Sequence, residues 1–179
     1  MVLLVALIVR IASGGSLRDV AEIRIRGEVL LVAAFVLVSL LPLAAGHLNQ
    51  SRDGIFAGWI GLMVVLLALC LLNREVSQGF TVMGTGVALN LLAIALNRAM
   101  PVSIKAVAAI GGGVNRIAAA TDIFHLWGDA TTRLLILGDV LPLPGFAALR
   151  AVLSLGDVVM FVGLVTVVAT HATSPVKRH

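Results

Sequence analysis

Phe80–Leu96 reads FTVMGTGVALNLLAIAL, a run with no charged side chain and with Asn90 as its only strongly polar residue. As a helix rising about 1.5 Å per residue, such a run covers about 26 Å, close to the hydrocarbon thickness of a bilayer. In a water-soluble domain it would have to be hidden, and the rest of the chain has little with which to hide it. Of the 179 residues, 60% are hydrophobic and 12% charged, and mean hydropathy is +1.09. Soluble domains are nearer half apolar and a quarter charged, and a domain this small leaves much of its surface in water. Lipid can take up the excess.

Similar runs lie on either side. Ile55–Leu72 reads IFAGWIGLMVVLLALCLL, with Trp59 one turn inside as an interfacial anchor, and Val29–Ala45 reads VLLVAAFVLVSLLPLAA. Met1–Ala12 is shorter and carries Arg10, which fits a first span whose arginine snorkels to the headgroups, or else a helix lying in the interface. Residues 150–172 begin with Arg150 and Asp157 and continue apolar. The pattern predicts spans at 1–13, 28–46, 56–73, 79–97 and 150–172. The expected fold is an all-α, polytopic transmembrane helical bundle of about five spans, forming one integral membrane domain over residues 1–179. Between the fourth and fifth spans, residues 98–149 hold short apolar pieces broken by Gly111–Gly113, Gly128, Pro142 and Pro144. They read as interfacial or re-entrant helices at 102–110, 115–124 and 130–138, with a sixth span as the alternative.

Charge sets the orientation. Placing Arg18, Arg24, Arg26, Arg74, Lys177 and Arg178 in the cytoplasm puts the N-terminus outside and the C-terminus inside. The net charge of +4 and pI near 10.6 come from scattered residues, which suits anionic headgroups and gives no reason to expect nucleic acid. Membrane lipids are the expected partners, with a membrane protein or a second copy of the chain beside them. The lone Cys70 can form no internal disulfide. No Cys/His spacing resembles a zinc site, and Gly14-Gly15 lack the lysine and strand of a phosphate loop, so no metal or cofactor is expected. Gly79, Gly84 and Gly86, with Gly58 and Gly61, read as close-packing positions.

A few polar residues stand out against the apolar background. Asp157 lies in the last apolar segment, where a carboxylate must find a partner, face the bundle or be protonated; Ser154 is one turn earlier. Its structural partners would be Arg98, Asn97 or amides of the capping segment. Asn90 and Asn97 share one stripe of their helix, where amides commonly hold helices together. The expected site is a convergence of Asn97, Arg98, His125, Asp139 and Asp157 near the outer interface, with Asn90 and Ser154 close by. A short echo, Leu135–Val140 (LILGDV) and Leu153–Val158 (LSLGDV), sets a carboxylate among apolar residues twice.

The opening apolar run, Gly14-Gly15 with Leu17, the element Asn97-Arg98-Ala99-Met100-Pro101-Val102-Ser103, His125, LGDVLPLP at 137–144 and LSLGDV at 153–158 together carry a resemblance over most of the chain. In these the chain resembles a family of uncharacterised bacterial multi-pass membrane proteins, a domain of unknown function with paired Gly-Asp elements. That resemblance implies a small helical protein of the bacterial cytoplasmic membrane and assigns no catalytic residue. Leu155-Gly156-Asp157-Val158 also resembles half of the Gly-x-Gly-Asp element of intramembrane aspartyl proteases, but Ser154, and Ile136 in the other copy, replace its first glycine. Three functions follow as expectations. The first is an accessory or structural subunit of a membrane complex. The second is a small transporter or channel-like protein using Asp157. The third is a membrane enzyme acting at the outer face on a lipid-linked or peptide substrate, through Asp139, His125 and Asp157.

Overall fold

The computed structural model describes residues 24–30, 32, 33, 36, 52–111, 124–145 and 150–170. Residues 28–30, 32, 33 and 36 are helical. Helices α1 (Arg52–Leu72) and α2 (Gln78–Asn97) are followed by strand β1 (Met100–Val102) and a short helix α3 (Ile104–Ala109). Strand β2 (His125–Trp127), a 3-10 turn (Leu135–Leu137), strands β3 (Asp139–Leu143) and β4 (Ala151–Ser154) and helix α4 (Leu155–Thr170) complete the described order.

Two local signals bound α2. Ser77 is extended and its hydroxyl accepts from the Gly79 N–H at 3.1 Å, supplying the N-cap. At the other end Arg98 takes a left-handed conformation (φ 62°), and Pro101 lies just beyond. Helix α4 runs antiparallel to α2, and their backbones touch through two glycine pairs spaced two turns apart. A Cβ on Gly79 would lie 2.5 Å from the Gly163 carbonyl oxygen, and one on Gly86 would lie 2.5 Å from that of Gly156. Only glycine permits this approach. Gly84 turns instead toward α1, where its Cβ would lie 3.1 Å from that of Cys70, while Gly61 meets nothing within 4 Å.

The sheet closes the end of the helical layer at which α2 stops and α1 and α4 begin. Its order is β2-β1-β3-β4, with β1 parallel to both neighbours and β3 antiparallel to β4. Pro101 sits inside an interior strand, where its missing N–H would ordinarily break the ladder. The pairing avoids it: β1 meets β3 only at Val102↔Asp139, and the next bond, Ser103 N–H to Asp139 carbonyl at 2.9 Å, lies beyond the proline. Ala93, Ile94 and Met100 join helix to sheet, with Phe56, Trp59, Ile60, Met63 and Leu137 packed around them.

The all-α polytopic bundle is therefore corrected to an α+β arrangement. Among the described residues, Gln78–Asn97 alone is long and apolar enough to cross a membrane; Phe56–Leu72 and Leu155–Thr170 are apolar but shorter. Within 98–149 the described residues hold no helix longer than Ile104–Ala109, so neither a sixth span nor a helix over 130–138 is found there. Apolar pieces of three to five residues, such as HLW and AVLS, carry no periodicity that separates helix from strand, and here pairing decides. The last helix also starts later than residue 150, because 151–154 leave to pair with β3. The expected span 1–13, most of 28–46 and nearly all of the expected helix 115–124 lie outside the described residues.

Candidate functional site

Helix α4 opens on a reciprocal cap. The Asp157 N–H donates to Ser154 Oγ at 2.9 Å, and the Ser154 N–H donates to Asp157 Oδ2 at 3.0 Å, so two otherwise orphaned amides are satisfied. Asn90 then ties the cap to α2. Its Nδ2 donates to Asp157 Oδ1 at 2.9 Å, and its Oδ1 accepts from the Ser154 hydroxyl at 2.8 Å. Asn90 thus bonds both partners side chain to side chain, while Ser154 and Asp157 bond each other through side chain and backbone N–H. Ser154 is fully buried, and a Cβ on Gly156 would collide with the Asn90 amide, so that glycine admits the network.

Asp139 stands directly across β3–β4 from Ser154. Its carboxylate reaches His125, with Oδ2 3.6 Å from Nε2, linking β3 to β2 over the top of β1. Asp139 is buried and His125 half-buried, so a polar line of His125, Asp139, Ser154, Asp157 and Asn90 runs across the junction of sheet and helices. The Gly-Asp echo does not recur as structure. Gly138-Asp139 begins a strand, with Gly138 pressed against the Pro101 carbonyl, whereas Gly156-Asp157 forms the first turn of a helix.

Asn97 and Arg98 have other partners. Asn97 pairs with the Arg133 peptide, accepting its N–H at 2.9 Å and donating to its carbonyl at 2.8 Å, while also donating to the Ala93 carbonyl at 2.8 Å. Arg98 forms an ion pair with Asp53, and its guanidinium lies 4.8 Å from the centre of the Phe56 ring. At the opposite end of the molecule, Asn73 repeats the work of Asn97. It accepts from Arg26 N–H at 2.7 Å, donates to the Arg26 carbonyl at 2.9 Å, and donates to the Leu69 carbonyl at 2.8 Å. Each asparagine ends its helix, back-bonds one turn and clamps the peptide of a distant arginine. Ser77 and Thr170 join α2 and α4 at that same end through a 2.9 Å hydroxyl contact.

Among the described residues no three His, Cys, Asp or Glu side chains converge as metal ligands would. The exposed loop before the 3-10 turn is ordered by Asp129, whose carboxylate accepts from the Thr131 hydroxyl at 2.7 Å and the Thr131 N–H at 2.8 Å. Those bonds, the hydroxyl first, hold its carboxyl below the ordinary aspartate range.

A family model described as a family of unknown function, DUF5317, matches residues 22–169, which takes in both asparagine clamps, the whole polar line and all four strands. The chain belongs to DUF5317. No curated protein and no solved structure matches it. The DUF5317 match adds no assigned residue, so the chemistry rests on the geometry described above.

Sequence reading passed over Asn73 and the packing role of Gly156 and Gly163 in this DUF5317 chain, and the patterns that tie Ser154 to Asp157 and Gly79 and Gly86 to α4. Asn73 is fully buried and unites two segments 47 residues apart, and the repeated Leu-Asn-Arg at 72–74 and 96–98 is its signal. Ser154-x-x-Asp157 carries the spacing of a reciprocal helix cap. The equal two-turn spacing of Gly79/Gly86 and Gly156/Gly163 marks the helix pair.

Proposed function

We propose that this chain is a membrane-embedded structural or accessory subunit of a complex in the bacterial cytoplasmic membrane, with α2 in the bilayer and the sheet at its outer face. The observation that carries this reading is the closed network of Asn90, Ser154 and Asp157. These bonds put the polar atoms of all three residues to structural use, joining the cap of α4 to the middle of α2. The environment supports the membrane part. Helix α2 has no charge over its 20 residues, and Val64, Val65, Leu71, Leu92, Leu96 and Val162 face outward. Twenty helical residues measure about 30 Å, the thickness of a hydrocarbon layer.

The test purifies the tagged full-length chain from membranes in mild detergent. The expected result is pelleting with membranes through alkaline carbonate, then elution as a stoichiometric complex with a membrane partner that Asp157→Asn leaves intact. Release by carbonate overturns the membrane assignment; a solitary monodisperse monomer overturns the subunit role. One observation favours a second reading. The His125–Asp139 contact suits acid–base work at the outer face on a lipid-linked or peptide substrate. That reading requires His125→Ala and Asp139→Asn each to abolish the chain's cellular function while the fold, followed by thermal melting, persists.

A further inference from the structure

The two asparagine clamps differ in one residue, and the difference bears on where the sheet meets lipid. In each clamp the residue after the captured arginine is left-handed: Gly27 (φ 78°) after Arg26, and Leu134 (φ 50°) after Arg133. Glycine adopts this conformation without steric conflict, whereas leucine crowds its Cβ against the backbone. Strain of this kind persists where the surroundings impose it and the side chain is wanted. Leu134 does little inside the protein, for it is 46% exposed, and Ile136, two residues on, is 70% exposed. Leu137, by contrast, packs on the Ala93–Ile94–Met100 core. The turn thus seats one leucine inward and holds two branched apolar side chains outward, at the cost of a strained backbone.

We infer that the Arg133–Leu137 turn is a lipid anchor, with Leu134 and Ile136 inserted among the acyl chains just below the headgroups and Arg133 paired with a lipid phosphate. This inference rests on the membrane reading above. Three observations select lipid as the occupant. The turn is tied through Asn97 to the end of α2 where the uncharged run stops, which is where a bilayer interface would lie. Its outward residues are apolar, as are the exposed Leu92 and Leu96 toward that same end of the helix. Moving back along the chain, character passes from apolar Leu134 to the exposed cation Arg133 and then to the exposed polar loop at Asp129 and Thr131, the order in which acyl chain, phosphate and water succeed one another.

The experiment places a single environment-sensitive fluorophore on Ile136→Cys, in a Cys70→Ala background. The full chain is reconstituted in vesicles of phosphatidylcholine and phosphatidylglycerol. Quenching is compared for lipids spin-labelled high on the acyl chain and for aqueous iodide. Two further probes set the scale: Ala88→Cys, outward on the middle of α2, and Ala130→Cys, in the polar loop. The expected result at 136 is blue-shifted emission, strong loss of intensity with the lipid quencher and little with iodide, while 130 shows the reverse. Iodide quenching at 136 as strong as at 130 overturns the anchor. So does protection from both quenchers, which would mean that protein covers the turn. In either case lipid quenching at 88 leaves the membrane reading standing. Iodide access at 88 as well would remove that reading, and the anchor with it.

Discussion

A single φ angle separates the two asparagine clamps and yields the sharpest test at the scale of one residue. Leu134→Gly should raise the thermal midpoint in detergent. It relieves a left-handed leucine, worth about 1–2 kcal/mol, against about 0.5–1 kcal/mol for the added freedom of the unfolded chain. Leu134→Ala keeps the Cβ and should bring no such gain. Gly27→Ala should lower the midpoint, because the left-handed backbone acquires a Cβ and that Cβ would lie 2.7 Å from Leu69 Cδ2. A loss of stability in Leu134→Gly would show that the side chain contributes packing that its exposure does not suggest. Asp129 offers a pH test. Its carboxyl is held low in the folded chain by the Thr131 hydroxyl and amide, so the loop is favoured above the ordinary aspartate pKa and loses that support as pH falls through the depressed value. Carboxyl NMR titration should find Asp129 below the ordinary aspartate range, and Thr131→Ala should move it upward.

At the scale of elements, the glycines divide by what they touch. Gly86→Ala and Gly163→Ala each place a methyl against the backbone of the facing helix, so α2 and α4 must separate. Overpacking of this kind costs about 1–3 kcal/mol, and the loss should be visible as a lower melting midpoint in detergent. Gly61→Ala adds the same methyl to open space and should be neutral or mildly stabilising, since alanine favours helix by up to about 1 kcal/mol. Equal losses at all three positions would mean that helix propensity or lipid contact, and not the backbone approach, sets stability. Helices α1 and α2 are legible in the sequence because each contains an uncharged run longer than any strand. The sheet is not legible, because its strands are three to five residues long and β1 recruits β2 from beyond residue 111 and β3 from beyond the 3-10 turn. Of the candidate residues, Asn90, Ser154 and Asp157 are recognisable as polar groups in apolar segments. That Asp157 bonds Asn90 and not Arg98 follows from the sheet, which starts α4 at residue 155 and sets its first turn beside the middle of α2.

Across the whole molecule, the charges gather at two ends. The described helices carry none between Asp53 and Arg74 on α1, none along α2, and none after Asp157 on α4. One end holds Arg24, Arg26 and Arg74 with Glu28 and Glu75; the other holds Arg52, Arg98, Lys105, Arg133 and Arg150 with Asp53, Asp129, Asp139 and Asp157. Each end carries one basic residue in excess, so the sign balance of the described residues does not distinguish them. If a bilayer occupies the apolar layer between them, the positive-inside rule, which weights basic residues of short connections such as Arg24, Arg26 and Arg74 over those of the long 98–149 segment, turns the first end toward the cytoplasm and the sheet outward. Cysteines introduced at Glu75 and Ala130 should therefore differ in intact cells toward a membrane-impermeant maleimide, again in a Cys70→Ala background. Ala130→Cys should label directly, provided the outer envelope is permeable to the reagent, and Glu75→Cys only after the cytoplasmic membrane is opened. The reverse pattern would keep the layer in the bilayer and invert its orientation. Labelling of both positions without permeabilisation would mean that the two ends share one aqueous phase, and the apolar layer would then need a protein partner, not lipid, to cover it.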